Sequence, residues 1–215
     1  MKSLTNYIKS DKSYLISLSE KLLINKNYDD GYNYHPKDIV ELKASIEEHY
    51  NKGIYDLNDI DTSEVTNFSE LFVGDENTGN KNFDVSKWNV GKGENFTQMF
   101  AGCKKFNCDL SKWDVRNSTI FLSMFYNCNE FNSDLSNWNV SKCENFSTMF
   151  ARCYKFNSDL SDWKVSEGED FYMMFKDCKN FNSDLSNWNI TDNSNTYAMF
   201  NNCGIEDKYK PKGVE

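Results

Sequence analysis

The sequence predicts an α/β solenoid of coils about 25 residues long, each a short helix plus a short parallel strand, behind an N-terminal helical cap. Three observations lead there. The phrase FNSDLSNW stands almost unchanged at Phe131, Phe156 and Phe181, and as FNCDLSKW at Phe106, always 25 residues apart. Tryptophans recur in the same register at Trp88, Trp113, Trp138, Trp163 and Trp188. Within each unit the apolar spacing changes from helix-like to alternating, so one short segment can hold two kinds of structure.

The expected elements follow in chain order, with boundaries at 1–54, 55–203 and 204–215. A first helix is predicted from Lys12 to Leu23. Pro36 opens a second, because Ile39, Val40, Leu42, Ile46 and Tyr50 keep helical spacing and proline suits a first helical turn. Together these form a cap, since a stack of repeats leaves an open core at its end. Six coils follow, beginning at Asp56, Asp84, Asp109, Asp134, Asp159 and Asp184. The first is three residues longer, an excess assigned to the polar stretch from Gly74 to Asn80. In each coil Phe146, Met149, Phe150, Cys153 and their equivalents lie at i, i+3, i+4 and i+7, the mark of one face of a two-turn helix. Ser141 with Glu144, and Ser166 with Glu169, read as capping boxes. Trp163 and Val165, two apart, read as a brief strand. The residues that do not vary between coils (Phe, Met, Phe, Cys, Phe, Leu and Trp) are the expected core. The closing segment GIEDKYKPKGVE is polar and reads as a weak cap, and Thr196 stands where earlier coils have Phe. The last coil is therefore an expected end-to-end contact surface.

A net charge of −9 and a pI near 4.8 argue against binding to a phosphate backbone, which needs clustered Lys and Arg. Mean hydropathy is −0.73 and no stretch reaches the ~18–20 apolar residues of a membrane span, so a soluble chain is expected. The N-terminus does not read as a signal peptide, which places the protein in the cytoplasm. Of the seven cysteines, Cys103, Cys128, Cys153, Cys178 and Cys203 follow the repeat and read as a column of reduced, buried thiols. Cys108 and Cys143 fall outside it and read as exposed, reactive thiols.

The unit M-F-x-x-C-x-x-F-N-x-D-L-S-x-W-x-V resembles the repeat of the BspA-like leucine-rich-repeat surface proteins of bacteria, in its 25-residue form. The resemblance covers Asp56 to Cys203, and the lead-in DLNDIDTSEVTNFSELF is similar to the segment that often precedes such arrays. It implies leucine-rich-repeat-like coils and, for relatives, adhesion or protein binding at cell surfaces, often after secretion. It also implies that the column Asn107, Asn132, Asn157 and Asn182 points inward and bonds the backbone of neighbouring turns.

Other columns admit competing readings. Asp109, Asp134, Asp159 and Asp184 read as Asx-turn acceptors for the N–H groups two residues on. A cation such as calcium would need six to eight oxygens at one point, more than one carboxylate per coil supplies. The Trp column reads as core rather than a stacking platform. No enzyme is expected: the only histidines are His35 and His49, and phosphate-loop, dinucleotide and zinc-hydrolase motifs are missing. No cofactor or metal is expected either. The expected function is thus a non-catalytic protein-protein interaction module built on the solenoid, serving adhesion or host and partner binding. Its candidate contact residues flank the Trp column: Lys112, Asp114, Asn137, Asn139, Asp162, Lys164, Asn187 and Asn189. Two alternatives stand beside it, a structural protein that self-associates through its coil ends and an acidic decoy of DNA.

Overall fold

The structure is a computed structural model that describes residues 30–74 and 82–214. The helix expected at Lys12 to Leu23, and the Gly74 to Asn80 stretch beyond Gly74, lie outside the described residues.

Asp38 opens α1, Ile39–Asn51, by accepting at its Oδ1 from the N–H groups of Val40 (2.8 Å) and Glu41 (2.9 Å). Pro36 thus precedes the N-cap instead of occupying the first turn. The helix buries Leu42, Ala44, Ser45, Ile46 and His49. His49 fixes it in place: Nδ1 lies 2.7 Å from the Ser45 carbonyl, and Nε2 lies 2.7 Å from Asp59 Oδ1.

Apart from α1 and a 3-10 turn at Asp207–Tyr209, the described residues form no helix, and they form no strand. The expected α/β solenoid of leucine-rich-repeat-like coils is therefore corrected to a helix-poor, sheet-free single domain. Backbone conformation explains the missing repeat helices. Thr148 (φ 53°) and Arg152 (φ 65°) lie in the left-handed region four residues apart, as do Gln98 and Gly102, Ser123 and Asn127, Met173 and Asp177, and Ala198 and Asn202. A positive φ at the third residue suits a tight turn and breaks an α-helix. Phe146 to Met149 and Phe150 to Cys153 are such turns, closed by Met149 N–H to Phe146 O (3.1 Å) and Cys153 N–H to Phe150 O (2.9 Å). Two consecutive four-residue turns and two helical turns give the same i, i+3, i+4, i+7 pattern. The capping-box reading fails for the same reason: Glu144 N–H donates to Thr119 O (2.9 Å), in the preceding segment.

The N–H groups not used in these turns donate across to the next segment. Phe146, Thr148, Phe150 and Arg152 donate to the carbonyls of Asp170, Tyr172, Met174 and Lys176 at 2.8–3.0 Å. Isolated parallel bridges result, one per pair of segments at Asn95↔Ile120, Ile120↔Asn145, Asn145↔Asp170 and Asp170↔Asn195, and two between the first pair, at Asp56↔Asp84 and Asn67↔Asn95. The stretch around LSxWxV is not a strand either, because Trp163 N–H turns back onto Leu160 O (3.1 Å). Side chains join the segments there. Trp163 Nε1 donates to Leu135 O at 3.0 Å, and Leu135 N–H donates to Ser158 Oγ at 2.8 Å.

One apolar cluster runs from Tyr34 to Ile205. Its axis is a file of phenylalanines, Phe72, Phe100, Phe125, Phe150, Phe175 and Phe200, with centroids 5.5–5.7 Å apart and planes within 14°. These are offset-stacking distances. A second file, Phe106, Phe131, Phe156 and Phe181, lies beside it at 5.7–6.0 Å spacing. At one end Phe68 and Phe72 are fully buried in the same cluster as Leu42 and Ile46 of α1. At the other end the closing segment covers more than its polarity suggests. Ile205 is buried, Tyr209 and Val214 pack on the core, and Leu185 N–H donates to Tyr209 O (2.8 Å).

Candidate functional site

The columns singled out by the repeat are occupied by intramolecular bonds. Each asparagine is exposed, not inward, yet it ties neighbouring segments together. Asn132, Asn157 and Asn182 N–H donate at 2.8–2.9 Å to the Oδ1 of Asn107, Asn132 and Asn157, and Glu206 N–H donates to Asn182 Oδ1 (2.9 Å). Asp109, Asp134, Asp159 and Asp184 are also exposed, and each Oδ1 accepts from the serine N–H two residues on at 2.9–3.0 Å. Those serine bonds hold all four carboxyls below the ordinary carboxylate range. Folded values below the unfolded value of about 3.9 mean that this stabilisation is complete above about pH 4 and is lost as pH falls through the folded values. Urea midpoints measured from pH 7 down to pH 2.5 are expected to fall through that window. Asp159→Asn, which keeps an acceptor without a charge, should flatten part of the drop.

Lys112, Asp114, Asn137, Asn139, Asp162, Lys164, Asn187 and Asn189 are all exposed along the Trp column. Few specific contacts join them: Arg116 Nε donates to Asp114 Oδ1 (2.8 Å), and Asn139 Oδ1 accepts from Ser141 N–H (3.2 Å). None of them lines the recess around Asn107, Asn132 and Lys155, the one around Asp84 and Cys108, or the one around Tyr197. The Trp side chains themselves are only 3–5 % exposed, which leaves no ring free to stack on a ligand.

The cysteines differ in part from expectation. Cys108 and Cys143, read as reactive, are buried, and burial pushes each thiol up to about 12. Cys143 shares its register with Gly93, Ser118 and Gly168, so it lies inside the repeat and not outside it. In the regular column, Cys128, Cys153 and Cys178 donate at 2.9–3.0 Å to the carbonyls of Phe100, Phe125 and Phe150, each in the preceding segment. Burial raises all three thiols. A chromogenic disulfide reagent at pH 8 is therefore expected to modify Cys203, the least buried thiol, first. The other thiols should react only at the rate of unfolding, with rapid release of all seven equivalents in denaturant.

The two ends of the stack differ from its middle. Along the row of Phe146, Thr148, Phe150 and Arg152 and its equivalents, every cross-bond runs one way, from an N–H to a carbonyl nearer the C-terminus, whereas the bonds just before that row, such as Glu144 N–H to Thr119 O, run the other way. The last segment therefore has donors with nothing beyond it: among the described residues, the N–H groups of Thr196, Ala198, Phe200 and Asn202 find no acceptor, while those of Met199, Asn201 and Cys203 close turns. Beside this row is a recess of about 590 Å³ lined by Thr196, Tyr197, Ala198, Phe200, Asn201 and Gly213. Tyr197 is 71 % exposed and stacks on Tyr172 with centroids 6.0 Å apart, leaving its outer face bare. At the first segment the situation is reversed. The carbonyls of Asn67, Ser69 and Leu71 accept from no described N–H, although their equivalents Asn95, Thr97 and Met99 do so at 2.8–2.9 Å.

Residues 40–154 and 120–209 match the family described as Mycoplasma protein of unknown function, DUF285. The chain belongs to this family. No curated protein and no solved structure matches it. Because the described residues of this DUF285 chain form no leucine-rich-repeat solenoid, the resemblance to BspA-like surface proteins is set aside. The interaction module placed on that solenoid falls with it, since the helix-and-strand coils meant to present its contact residues are missing. No helix among the described residues is long and apolar enough to cross a membrane. Thr196 and the polar tail already mark the last coil as an end-to-end contact surface, but alternate N–H donation is a backbone property and leaves no residue signature.

Proposed function

We propose that this chain is a non-catalytic structural protein that associates with further copies of itself through its ends. The observation that carries this reading is the row of N–H donors at Thr196, Ala198, Phe200 and Asn202, which would otherwise have only water as partner. Rows of unpaired backbone groups at the end of a stack are templates for another chain. The absence of catalysis is supported by how the usual reactive groups are engaged. His49 is held between Ser45 and Asp59, His35 Nδ1 lies 3.4 Å from Asp61 Oδ2, and burial suppresses the thiolates.

The test is mass against concentration by light scattering on the full chain. Average mass should rise with concentration, and Tyr197→Asp, at the rim of the recess, should hold the chain at its monomer mass. A wild-type chain that stays monomeric at the highest attainable concentration would overturn self-association.

A further inference from the structure

We infer that the association is head-to-tail, with the donor row of one copy meeting the carbonyl row of the next copy, so that the assembly is an open filament and not a closed dimer. This rests on the self-association reading above and adds its geometry. The argument is one of polarity. Because every cross-segment bond in the row of Phe146 to Arg152 and its equivalents points the same way along the stack, that row offers only donors at the last segment, Thr196 to Asn202, and only acceptors at the first, Asn67 to Leu71. Two C-terminal ends brought face to face would set N–H against N–H, and two N-terminal ends would set carbonyl against carbonyl. Only unlike ends are complementary, and an interface between unlike surfaces need not close on itself.

The register of the joint can be read from the joints inside the chain. Met173 N–H donates to Tyr197 O (3.1 Å), Thr148 N–H to Tyr172 O (2.8 Å) and Glu70 N–H to Thr97 O (2.9 Å), so Ser69, Thr97, Leu122, Ser147, Tyr172 and Tyr197 form one column. Continued by one step, Ala198 N–H meets the carbonyl of Ser69 in the next copy. Thr196 then meets Asn67, and Phe200 meets Leu71. Tyr197 is placed over Ser69, the small side chain leaving room for the ring. The Phe files do not continue across the joint. The Lys210 ammonium lies 6.0 Å above Phe200 at one end, and α1 contributes Leu42 and Ile46 to the cluster at the other. The joint is therefore a backbone contact without an apolar centre, and it should be weak and concentration-dependent.

Complementary half-blocked variants test this. Tyr197→Asp disables the donor end and leaves the carbonyl end intact; Ser69→Asp does the reverse. Both positions are at least partly exposed, and a circular dichroism spectrum and melting temperature like those of wild type are the control that each variant is folded. Each variant alone should remain monomeric, whereas an equimolar mixture should form a one-to-one pair and go no further. Wild type should grow in mass without a plateau. A wild type that stops at a dimer, or Ser69→Asp alone still forming dimers, would overturn the head-to-tail geometry while leaving self-association standing. A monomeric wild type would overturn both.

Discussion

Replacing Phe150 with alanine is expected to lower the free energy of unfolding by about 3–5 kcal/mol. The ring has no solvent exposure and sits midway along the central file, stacked between Phe125 (5.7 Å) and Phe175 (5.6 Å) and against Phe156 of its own segment (4.1 Å). Truncation removes the transfer free energy of the ring and opens a cavity that its neighbours cannot fill, because Phe125 and Phe175 are tethered by the cross-segment bonds of Phe125 N–H to Met149 O and Phe175 N–H to Met199 O. Phe150→Leu, which keeps more of the volume, should cost less. Tyr154→Ala, on a ring 42 % exposed, should stay within about 0.5 kcal/mol of wild type. Urea titrations of the three variants decide the matter, and a Phe150→Ala loss below the Tyr154→Ala range would mean that the file is not a packed core.

The same residues show what the sequence made legible and what it did not. Inside and outside could be told apart among the apolar letters, because the large ones that do not vary between repeats are the side chains of the cluster, although the equally constant Asn and Asp columns are exposed. The 25-residue register was equally plain, since Asn, Trp and Cys each bond to a neighbouring segment through a side chain. Secondary structure was misread because apolar spacing reports which residues face inward and says nothing about φ. Thr148, Arg152 and Met173 are ordinary helix-compatible letters in left-handed conformations. Such a conformation costs a non-glycine residue roughly 1–2 kcal/mol. Here the surrounding cross-bonds and ring stacking must offset that cost, and neither is visible in a seven-residue window. Cys143 was misassigned because a register shared with two glycines and a serine has no common letter. At Gly93 and Gly168 an added Cβ would lie 2.4 and 2.3 Å from the Phe96 and Phe171 rings. The buried Ser118 and Cys143 stand where those rings reach, and Phe121 is tilted by 34° against both Phe96 and Phe146.

Trp163 carries the second large effect, and its two obvious substitutions separate packing from hydrogen bonding. Trp163→Ala is expected to cost about 3–5 kcal/mol, since the indole is 3 % exposed, packs on Phe146 and Phe150, and stacks on Trp188 at 6.2 Å. Trp163→Phe keeps most of that contact and deletes the Nε1 bond to Leu135 O. The carbonyl is not orphaned by this change, because Trp138 N–H still donates to it at 3.0 Å. One hydrogen bond is lost without a buried group left unpaired, so its share should be only about 1 kcal/mol. The phenylalanine variant should therefore lie well above the alanine variant in stability. Equal losses for the two would reverse that weighting and make the indole N–H, not the ring, the main tie between segments. The difference bears on the ends as well. If side-chain donors such as the Trp indole held the segments together, a bare row of backbone N–H groups at Thr196 to Asn202 would be a poor joint. If packing holds the segments and the backbone rows set their register, the same row can align a second copy without supplying much affinity.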